Sequence, residues 1–238
     1  MLKNFFILLY LKAKFYILKF TRFKKNVNKY SKHGNINKKK IIESLKLNGY
    51  VVIDNYFTKE ECNKIINRID NYIKRNPQNV WKDRNSDDVR IFGYNNVCET
   101  SKKFYLNSDL IEVLNKSSGY RNDCIFTLAG KIKFIKNGLG SGGSWHRDSI
   151  NPSFKSMIYL TKVNKDNGPF EIIKKSNKFY EILKDINDMG FLNVKNTRFN
   201  EESVKKIRNF DKRVKTLTAN KGSLLIFDGS YIHRGKPL

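Results

Sequence analysis

The sequence predicts an α+β fold in which helices come first and short β-strands follow, packed as a sandwich or barrel. Helical patterns dominate residues 41–117, and after residue 124 they give way to short β patterns bounded by turn residues. These β patterns lie at 124–135, 155–163, 169–173, 212–218, 223–227 and 230–234. A mixed insert with two short helical stretches is expected between them, at about 176–208.

The first part of this domain has clear start and stop signals for its elements. Asn48-Gly49 is a typical helix terminator, and Thr58 with Glu61 forms a capping box that begins a new helix. The expected elements are, in order, a helix at 41–47, a strand at 50–53, a helix from Thr58 to about Arg75 and a helix at 107–117.

The length and composition favour a globular chain. With 238 residues, the chain can bury a core without disulfide or zinc support, and 13% aromatic residues argue against disorder. Since no run of about 18 uncharged apolar residues occurs, an ordinary membrane-spanning helix is excluded. Cys62, Cys98 and Cys124 are far apart and form no CxxC motif, which predicts reduced thiols and a cytoplasmic location.

Residues 1–25 are predicted to form a basic amphipathic segment, and residues 26–40 a polar linker. On a helical projection, several apolar residues share one charge-free arc and the basic residues lie opposite. The arc contains Phe6, Leu9, Ala13, Tyr16, Ile17 and Phe20, and the opposite side Lys3, Lys14, Arg22 and Lys25. Peripheral contact of residues 3–25 with an anionic membrane and packing of the helix against its own domain both fit this pattern.

The net charge of +25 raises the question of a phosphate-rich partner. Residues 1–40 contain twelve Lys or Arg and no Asp or Glu. Elsewhere the lysines are scattered rather than arranged in a stripe, in a chain that is also rich in Asn and Ile. A bias of composition is therefore the favoured explanation, and nucleic acid is not the expected partner.

Two of the three histidines lie in strand-like contexts with the spacing of metal ligands. His146 and Asp148 are two residues apart, so in an extended chain their side chains project from the same face. His233 can join them from a neighbouring strand. Two imidazoles and one carboxylate on one face of a metal form the ligand set of non-haem Fe(II) oxygenases. The three remaining positions suit a keto acid, which takes two, and dioxygen, which takes the third.

Several segments accompany these residues in a fixed order. They are Asn48-Gly-Tyr-Val-Val-Ile53, Phe57-Thr-Lys-Glu-Glu-Cys62, Trp145-His-Arg-Asp-Ser149, Asn167-Gly168-Pro169-Phe170, and Asp228-Gly229 with His233-Arg234-Gly235. Together they resemble the phytanoyl-CoA dioxygenase family over about residues 41–238. The resemblance implies a double-stranded β-helix (jelly-roll, cupin-like) core with flanking helices, and it implies Fe(II), 2-oxoglutarate and O2 as cofactor and co-substrates. It also implies that His146, Asp148 and His233 are the catalytic metal ligands.

The same resemblance directs attention to the groups that bind 2-oxoglutarate. In the family, an Arg on the last core strand, beyond the distal His, holds the far carboxylate. Since this chain ends at Leu238, the last core strand is expected to be missing and the domain at 41–238 to be incomplete. The candidates for co-substrate binding are Tyr159, Lys133 and Arg234, although alternation along a strand would turn Arg234 away from His233.

Arg90 and Trp145 are the candidates for substrate contact. An Arg can pair with a substrate carboxylate or phosphate, and a salt bridge with nearby acids is the alternative for Arg90. For Trp145, the alternative to stacking on substrate is packing beside the metal site.

The predicted function is an Fe(II)- and 2-oxoglutarate-dependent dioxygenase that hydroxylates a small organic or lipid-like substrate. Hydroxylation is favoured over halogenation because relatives that halogenate lack the carboxylate supplied here by Asp148. A catalytically inactive jelly-roll binding module and a nucleic-acid-directed oxygenase remain as alternatives. A zinc hydrolase with the same triad is the least favoured, since no suitably spaced general-base Glu is evident.

Overall fold

A computed structural model describes the fold of most of the chain. The described residues are 2–21, 36–84, 86–120, 127–133, 142–189 and 197–237. Cys124, Arg22, Lys25 and most of the predicted linker lie outside them, and the side chain of Phe20 is likewise not described. Cys62 and Cys98 are buried free thiols.

The described residues form eight α-helices and nine β-strands. The helices are α1 (Leu2–Thr21), α2 (Lys38–Asn48), α3 (Lys59–Arg75), α4 (Glu99–Tyr105), α5 (Ser108–Ser118), α6 (Phe179–Met189), α7 (Glu201–Lys205) and α8 (Phe210–Arg213). The strands are β1 (Tyr50–Ile53), β2 (Trp81–Lys82), β3 (Asp88–Phe92), β4 (Leu128–Ile132), β5 (Phe154–Ile158), β6 (Phe170–Ile173), β7 (Val214–Leu217), β8 (Leu224–Asp228) and β9 (His233–Gly235).

The strands form three antiparallel sheets, with the orders β1–β8–β5, β2–β3–β4 and β7–β6–β9. The predicted α+β combination of helices and short strands is therefore confirmed. The strands β2 and β3 were not expected, because before residue 117 the sequence predicted a strand only at 50–53. In the first sheet β8 is central, and all five of its residues are buried. A hydrophobic cluster joins this sheet to β7–β6–β9, with Leu225 and Phe227 from β8 packed among Phe170, Ile172 and Leu217.

Two local signals read from the sequence determine how the first elements begin and end. The Thr58 hydroxyl accepts the Glu61 amide, and the Glu61 carboxylate accepts the Thr58 amide, so the capping box begins α3 as predicted. Gly49 ends α2 with φ of 82°, in the left-handed region that favours glycine. A Cβ at Gly49 would also lie 2.4 Å from the ring of Tyr231, which belongs to the segment that leads into β9.

Helix α1 packs against the domain through one of its faces. Leu8 is completely buried in a cluster with Trp145 and Ile182. The Lys12 amine donates a hydrogen bond to the backbone oxygen of Ile150 at 2.8 Å, and Phe15 lies edge-on to an aromatic ring of the domain. The charge-free arc identified in the sequence is on the outer side, and the members of it whose side chains are described, from Phe6 to Ile17, are exposed. Within the described part of the chain, every helix is too short or too polar for a membrane crossing.

Candidate metal centre

A reciprocal backbone contact brings the two histidine segments together. The His146 amide donates to the His233 oxygen at 2.9 Å, and the His233 amide donates to the His146 oxygen at 2.8 Å. His233 is the first residue of β9, and His146 forms an isolated antiparallel bridge beside it. Residues opposed in this way place their side chains on the same side of the sheet, so the two imidazoles face one region.

Asp148 completes a group of three potential metal ligands. Its Oδ1 lies 3.9 Å from His146 Nε2, and its Oδ2 lies 3.4 Å from His233 Nε2. One ligand atom from each of the three residues lies within 4.8 Å of the others. The structure thus brings together the three residues that the sequence predicted as a triad.

The imidazoles are oriented by their second nitrogen atoms. His146 Nδ1 lies 2.8 Å from the backbone oxygen of Ser144, and His233 Nδ1 lies 2.8 Å from that of Tyr231. Since a carbonyl oxygen only accepts, each Nδ1 carries the proton, and each Nε2 keeps its lone pair directed at the common point. Carbonyl partners of this kind fix the tautomer and the ring plane of metal-binding histidines.

Burial keeps both imidazoles neutral. It is the main cause that lowers the pKa of His146, and it also lowers the pKa of His233, whose neighbour His146 lowers it further. The ring of His233 packs against the rings of Phe170 and Phe227, with centroids 5.4 Å and 5.2 Å away, so water has little access to this side. A neutral imidazole is the form that donates to a metal.

The loop after β8 holds Asp148 in place. The Asp148 amide donates to the Gly229 oxygen at 2.9 Å, and the Gly229 amide donates to the Ser153 oxygen at 2.7 Å. A Cβ at Gly229 would lie 2.4 Å from Asp148 Oδ2, so only glycine leaves the carboxylate in its present position. Asp228 Oδ1 accepts the amides of Ser153 and Ser230, and so braces the same turn.

Arg147 connects the two metal-binding segments from behind. The side chain between His146 and Asp148 is fully buried and donates both to the Ser230 backbone oxygen and to the Asp185 carboxylate of α6. Burial raises the pKa of Asp185, and the guanidinium of Arg147 opposes that shift. Since Ser230 lies three residues before His233, this one side chain ties the His146–Asp148 segment to the segment of the distal histidine.

The donor set suits a divalent transition metal. Two neutral nitrogens and one carboxylate oxygen on one side of a point match the two-histidine, one-carboxylate arrangement of non-haem Fe(II) centres. His233 is buried, whereas the His146 and Asp148 side chains are 18% and 22% exposed, so the site opens on their side. This leaves room for further ligands next to the three protein atoms.

Trp145 and Arg234, two other predicted site residues, contact each other behind the triad. The guanidinium of Arg234 lies 4.2 Å from the centre of the Trp145 ring and forms ion pairs with Glu171 and Glu201. Trp145 is 1% exposed and also packs edge-on against Phe210. The structure therefore does not bring Arg234 to the metal side of β9, because alternation turns it to the opposite face from His233.

Tyr159 belongs to the same hydrophobic cluster as the two phenylalanines that pack on His233, whereas Lys133 lies beside the separate sheet β2–β3–β4. Tyr159 packs in the cluster that contains Phe170 and Phe227, and burial raises its pKa to about 12. Lys133 follows β4 and is exposed in a lysine-lined groove on the β2–β3–β4 sheet. Arg90 of β3 forms a bidentate ion pair with Asp88, the alternative named for it above.

Sequence reasoning did not assign site roles to Lys155 and Arg198. Lys155 of β5 places its amine 2.8 Å from Asp148 Oδ2, and Arg198 forms a bridge with His146 and bonds Ser144. Strand alternation could have indicated the position of Lys155. It lies two residues before Met157 and four before Tyr159, which belong to the inner cluster, so its side chain is expected on the same face of the strand. Arg198 carries no comparable local pattern.

The comparison with models of protein families identifies one family. The family model described as phytanoyl-CoA dioxygenase matches residues 45–237. No curated protein sequence matches the chain.

Solved structures with a similar fold include three proteins at 11–14% identity. EctD from S. alaskensis, with 2-oxoglutarate and 5-hydroxyectoine, is 14% identical, with a TM-score of 0.56 over 91% of this chain and 80% of that chain. HygX from Streptomyces hygroscopicus, with nickel and 2-oxoglutarate bound, is 11% identical, with a TM-score of 0.58 over 86% and 83%. SnoK, a non-haem alpha-ketoglutarate-dependent carbocyclase from nogalamycin biosynthesis, is 12% identical, with a TM-score of 0.57 over 88% and 81%.

A methyl group at Gly229 is expected to displace the Asp148 carboxylate. We expect Gly229→Ala to weaken Fe(II) binding by about tenfold to a hundredfold, the range found when the support of a metal ligand is disturbed. Anaerobic calorimetric titration measures this affinity. Gly142→Ala is the matched control, because a Cβ there meets no atom within 4 Å. Equal affinities of the two variants would contradict this account of Asp148.

Arg147→Met is expected to destabilise the fold by about 3–5 kcal/mol, because it leaves the Asp185 carboxylate buried without its partner. In the double variant Arg147→Met/Asp185→Leu most of this stability should return, since an apolar pair replaces the ion pair. The bond to Ser230 is still lost, so Fe(II) affinity should remain about tenfold or more below that of the wild type. Urea unfolding measures the stability and metal titration measures the Fe(II) affinity. Full recovery of both in the double variant would contradict the role of the Arg147–Ser230 bond in holding the two metal-binding segments together.

Proposed function

The chain belongs to the phytanoyl-CoA dioxygenase family, and from this premise we propose that it is an Fe(II)- and 2-oxoglutarate-dependent oxygenase. The observation that carries the proposal is the convergence of His146, Asp148 and His233 on one point, with both Nε2 lone pairs directed at it. Several neighbours in fold are described with iron or nickel and with 2-oxoglutarate, which supports the same choice of metal and co-substrate.

We infer a double-stranded β-helix core from the arrangement of the sheets. The sheets β1–β8–β5 and β7–β6–β9 share one interior cluster, and the triad lies where β8 turns towards β9. The proposed oxygenase domain covers residues 41–238, with the N-terminal helix as an addition to it.

The protein contributes to the reaction by positioning the metal-binding atoms and by excluding water from them. His146 and His233 supply neutral nitrogens, Asp148 supplies one negative charge, and Phe170 and Phe227 shield the distal histidine. Iron with 2-oxoglutarate and O2 bound there would supply the oxidising power, with succinate and carbon dioxide as the products of the co-substrate. We propose hydroxylation of a C–H bond of a small organic or lipid-like substrate as the reaction.

Lys155 is the candidate of this site for binding an anionic group. Its amine is 2.8 Å from Asp148 Oδ2, and its side chain is about half exposed at the open side of the centre. A metal bound to Asp148 would take over the neutralisation of that carboxylate. The ammonium is then available to hold a carboxylate of 2-oxoglutarate or of the substrate.

Succinate formation from 2-oxoglutarate, without added substrate, tests the oxygenase proposal. We expect Asp148→Ala to lower the rate by about a hundredfold or more, because it removes the charged ligand of the metal. Asp166→Ala, in an exposed turn, is the matched control and should behave as the wild type. A wild-type rate no higher than that of Asp148→Ala would reject the proposal in favour of an inactive binding module.

Lys155→Met should separate metal binding from co-substrate binding. Loss of the competing ammonium should tighten Fe(II) binding several-fold, and loss of a charge-assisted hydrogen bond should raise the KM for 2-oxoglutarate by about tenfold. Anaerobic titration and succinate kinetics measure the two constants, and the exposed Lys162→Met is the control. Tighter metal binding with an unchanged KM would mean that Lys155 does not hold the co-substrate.

A further inference from the structure

Helix α1 has two apolar faces, and the inner one packs against the domain in the part of the chain that the structure describes. The inner face contributes Leu8 to a buried cluster and the hydrogen bond from Lys12 to Ile150. The other face, called here the outer face of α1, consists of residues that are exposed to solvent. It contains Leu2, Phe6, Leu9, Tyr10, Ala13, Tyr16 and Ile17.

The outer face of α1 is continuous and uncharged. Its large side chains are between 47% and 72% exposed. At 100° per residue these positions cover an arc of about 120°, and no Asp, Glu, Lys or Arg falls within it. Soluble monomers rarely expose a contiguous apolar strip of this kind to solvent. Apolar residues thus occupy both the inner and the outer face of α1, as in a helix that is covered on two sides.

Basic residues adjoin this strip. The helical projection of the shorter arc places Lys3 and Lys14 opposite, but with Tyr10 counted in the face they lie only about 20° to 40° beyond its edge. The Lys14 amine lies 5.7 Å from the centre of the Tyr10 ring. Residues 1–40 contain twelve Lys or Arg and no acid, within a chain of net charge +25. An apolar helix face with aromatic residues and a lysine edge is the pattern of a helix that lies in the plane of a membrane interface.

We propose that the outer face of α1 docks on a lipid bilayer with anionic headgroups. The charge distinguishes this occupant from a second copy of the chain, because two copies would bring their basic edges together and repel each other. An anionic lipid surface attracts the same lysines. The apolar side chains enter the boundary between headgroups and acyl chains while the helix remains parallel to the surface.

Docking through α1 would place the metal-binding segment close to the bilayer. Lys12 bonds the backbone of Ile150, two residues after Asp148, and Leu8 packs in the same cluster as Trp145, next to His146. Substrates delivered from the membrane would therefore arrive near the centre. The docking inference uses only the outer face of α1 and its charges, so it stands apart from the proposed oxygenase activity.

Vesicle binding of the full chain tests the proposal. The probes are vesicles of equal parts phosphatidylcholine and phosphatidylserine, and vesicles of phosphatidylcholine alone, in a flotation assay. The wild type should bind the anionic vesicles about tenfold or more tightly than the neutral ones, and added salt should weaken the binding. Lys3→Glu/Lys14→Glu should reduce binding to the anionic vesicles to near the neutral level.

Two further variants distinguish the outer face from the rest of the surface. Leu9→Glu/Ile17→Glu should lose about tenfold or more of the vesicle affinity, because each introduces a carboxylate into the apolar strip, and both positions are exposed so that folding is retained. Leu47→Glu, on the exposed side of α2, is the matched control and should bind as the wild type. Asp148→Ala should also bind fully, which separates docking from catalysis.

Three results would overturn the proposal. They are a wild type that binds neither kind of vesicle, Leu9→Glu/Ile17→Glu binding equal to that of Leu47→Glu, and a wild-type dimer in sedimentation equilibrium that this double variant abolishes. The last result would assign the outer face of α1 to a second copy of the chain.

Discussion

The structure of the centre depends on the pair of backbone hydrogen bonds between His146 and His233. This pair of hydrogen bonds fixes the register between two segments that are far apart in the chain. Two backbone hydrogen bonds alone do not hold such segments together, so the pairing needs further support. Arg147 supplies that support on the reverse side, through Ser230 and Asp185. Alternation along the strand is what allows both roles, since ligands at positions 146 and 148 face the metal while position 147 faces the core.

The predictable part of this centre is the part that local rules determine. Spacing within a strand places His146 beside Asp148, and the same alternation turns Arg234 away from the site. What such rules cannot supply is register between distant segments. The contact of Lys155 with Asp148 and the partners of Arg147 arise only once β5, α6 and the turn after β8 have been packed together. The capping box at Thr58 was predictable for the same reason, because it involves four consecutive residues.

Gly229 shows that a residue type can be required for a reason that lies in a distant segment of the chain. The sequence places Asp228-Gly229 between two predicted β segments, at 223–227 and 230–234, but it gives no reason why alanine would fail at position 229. That reason is the carboxylate of Asp148, 2.4 Å from where a Cβ would be, and it becomes visible only in three dimensions. A metal site of three ligands therefore requires a small residue from a second segment as well as the ligands themselves.

In helix α1 too, the sequence pattern does not determine which face packs against the domain. Periodicity finds an apolar arc, but it does not show which side of α1 packs on the domain. On the side that packs, Lys12 satisfies the backbone of Ile150 and Leu8 enters the core. The less apolar face of α1 is therefore the one that packs against the domain, and the more apolar face remains exposed. A helix that packed only for stability would bury the arc with the larger apolar area, since burial stabilises in proportion to area. The observed choice makes sense if the exposed arc has another apolar medium to enter, and the lysines beside it require the surface of that medium to be anionic.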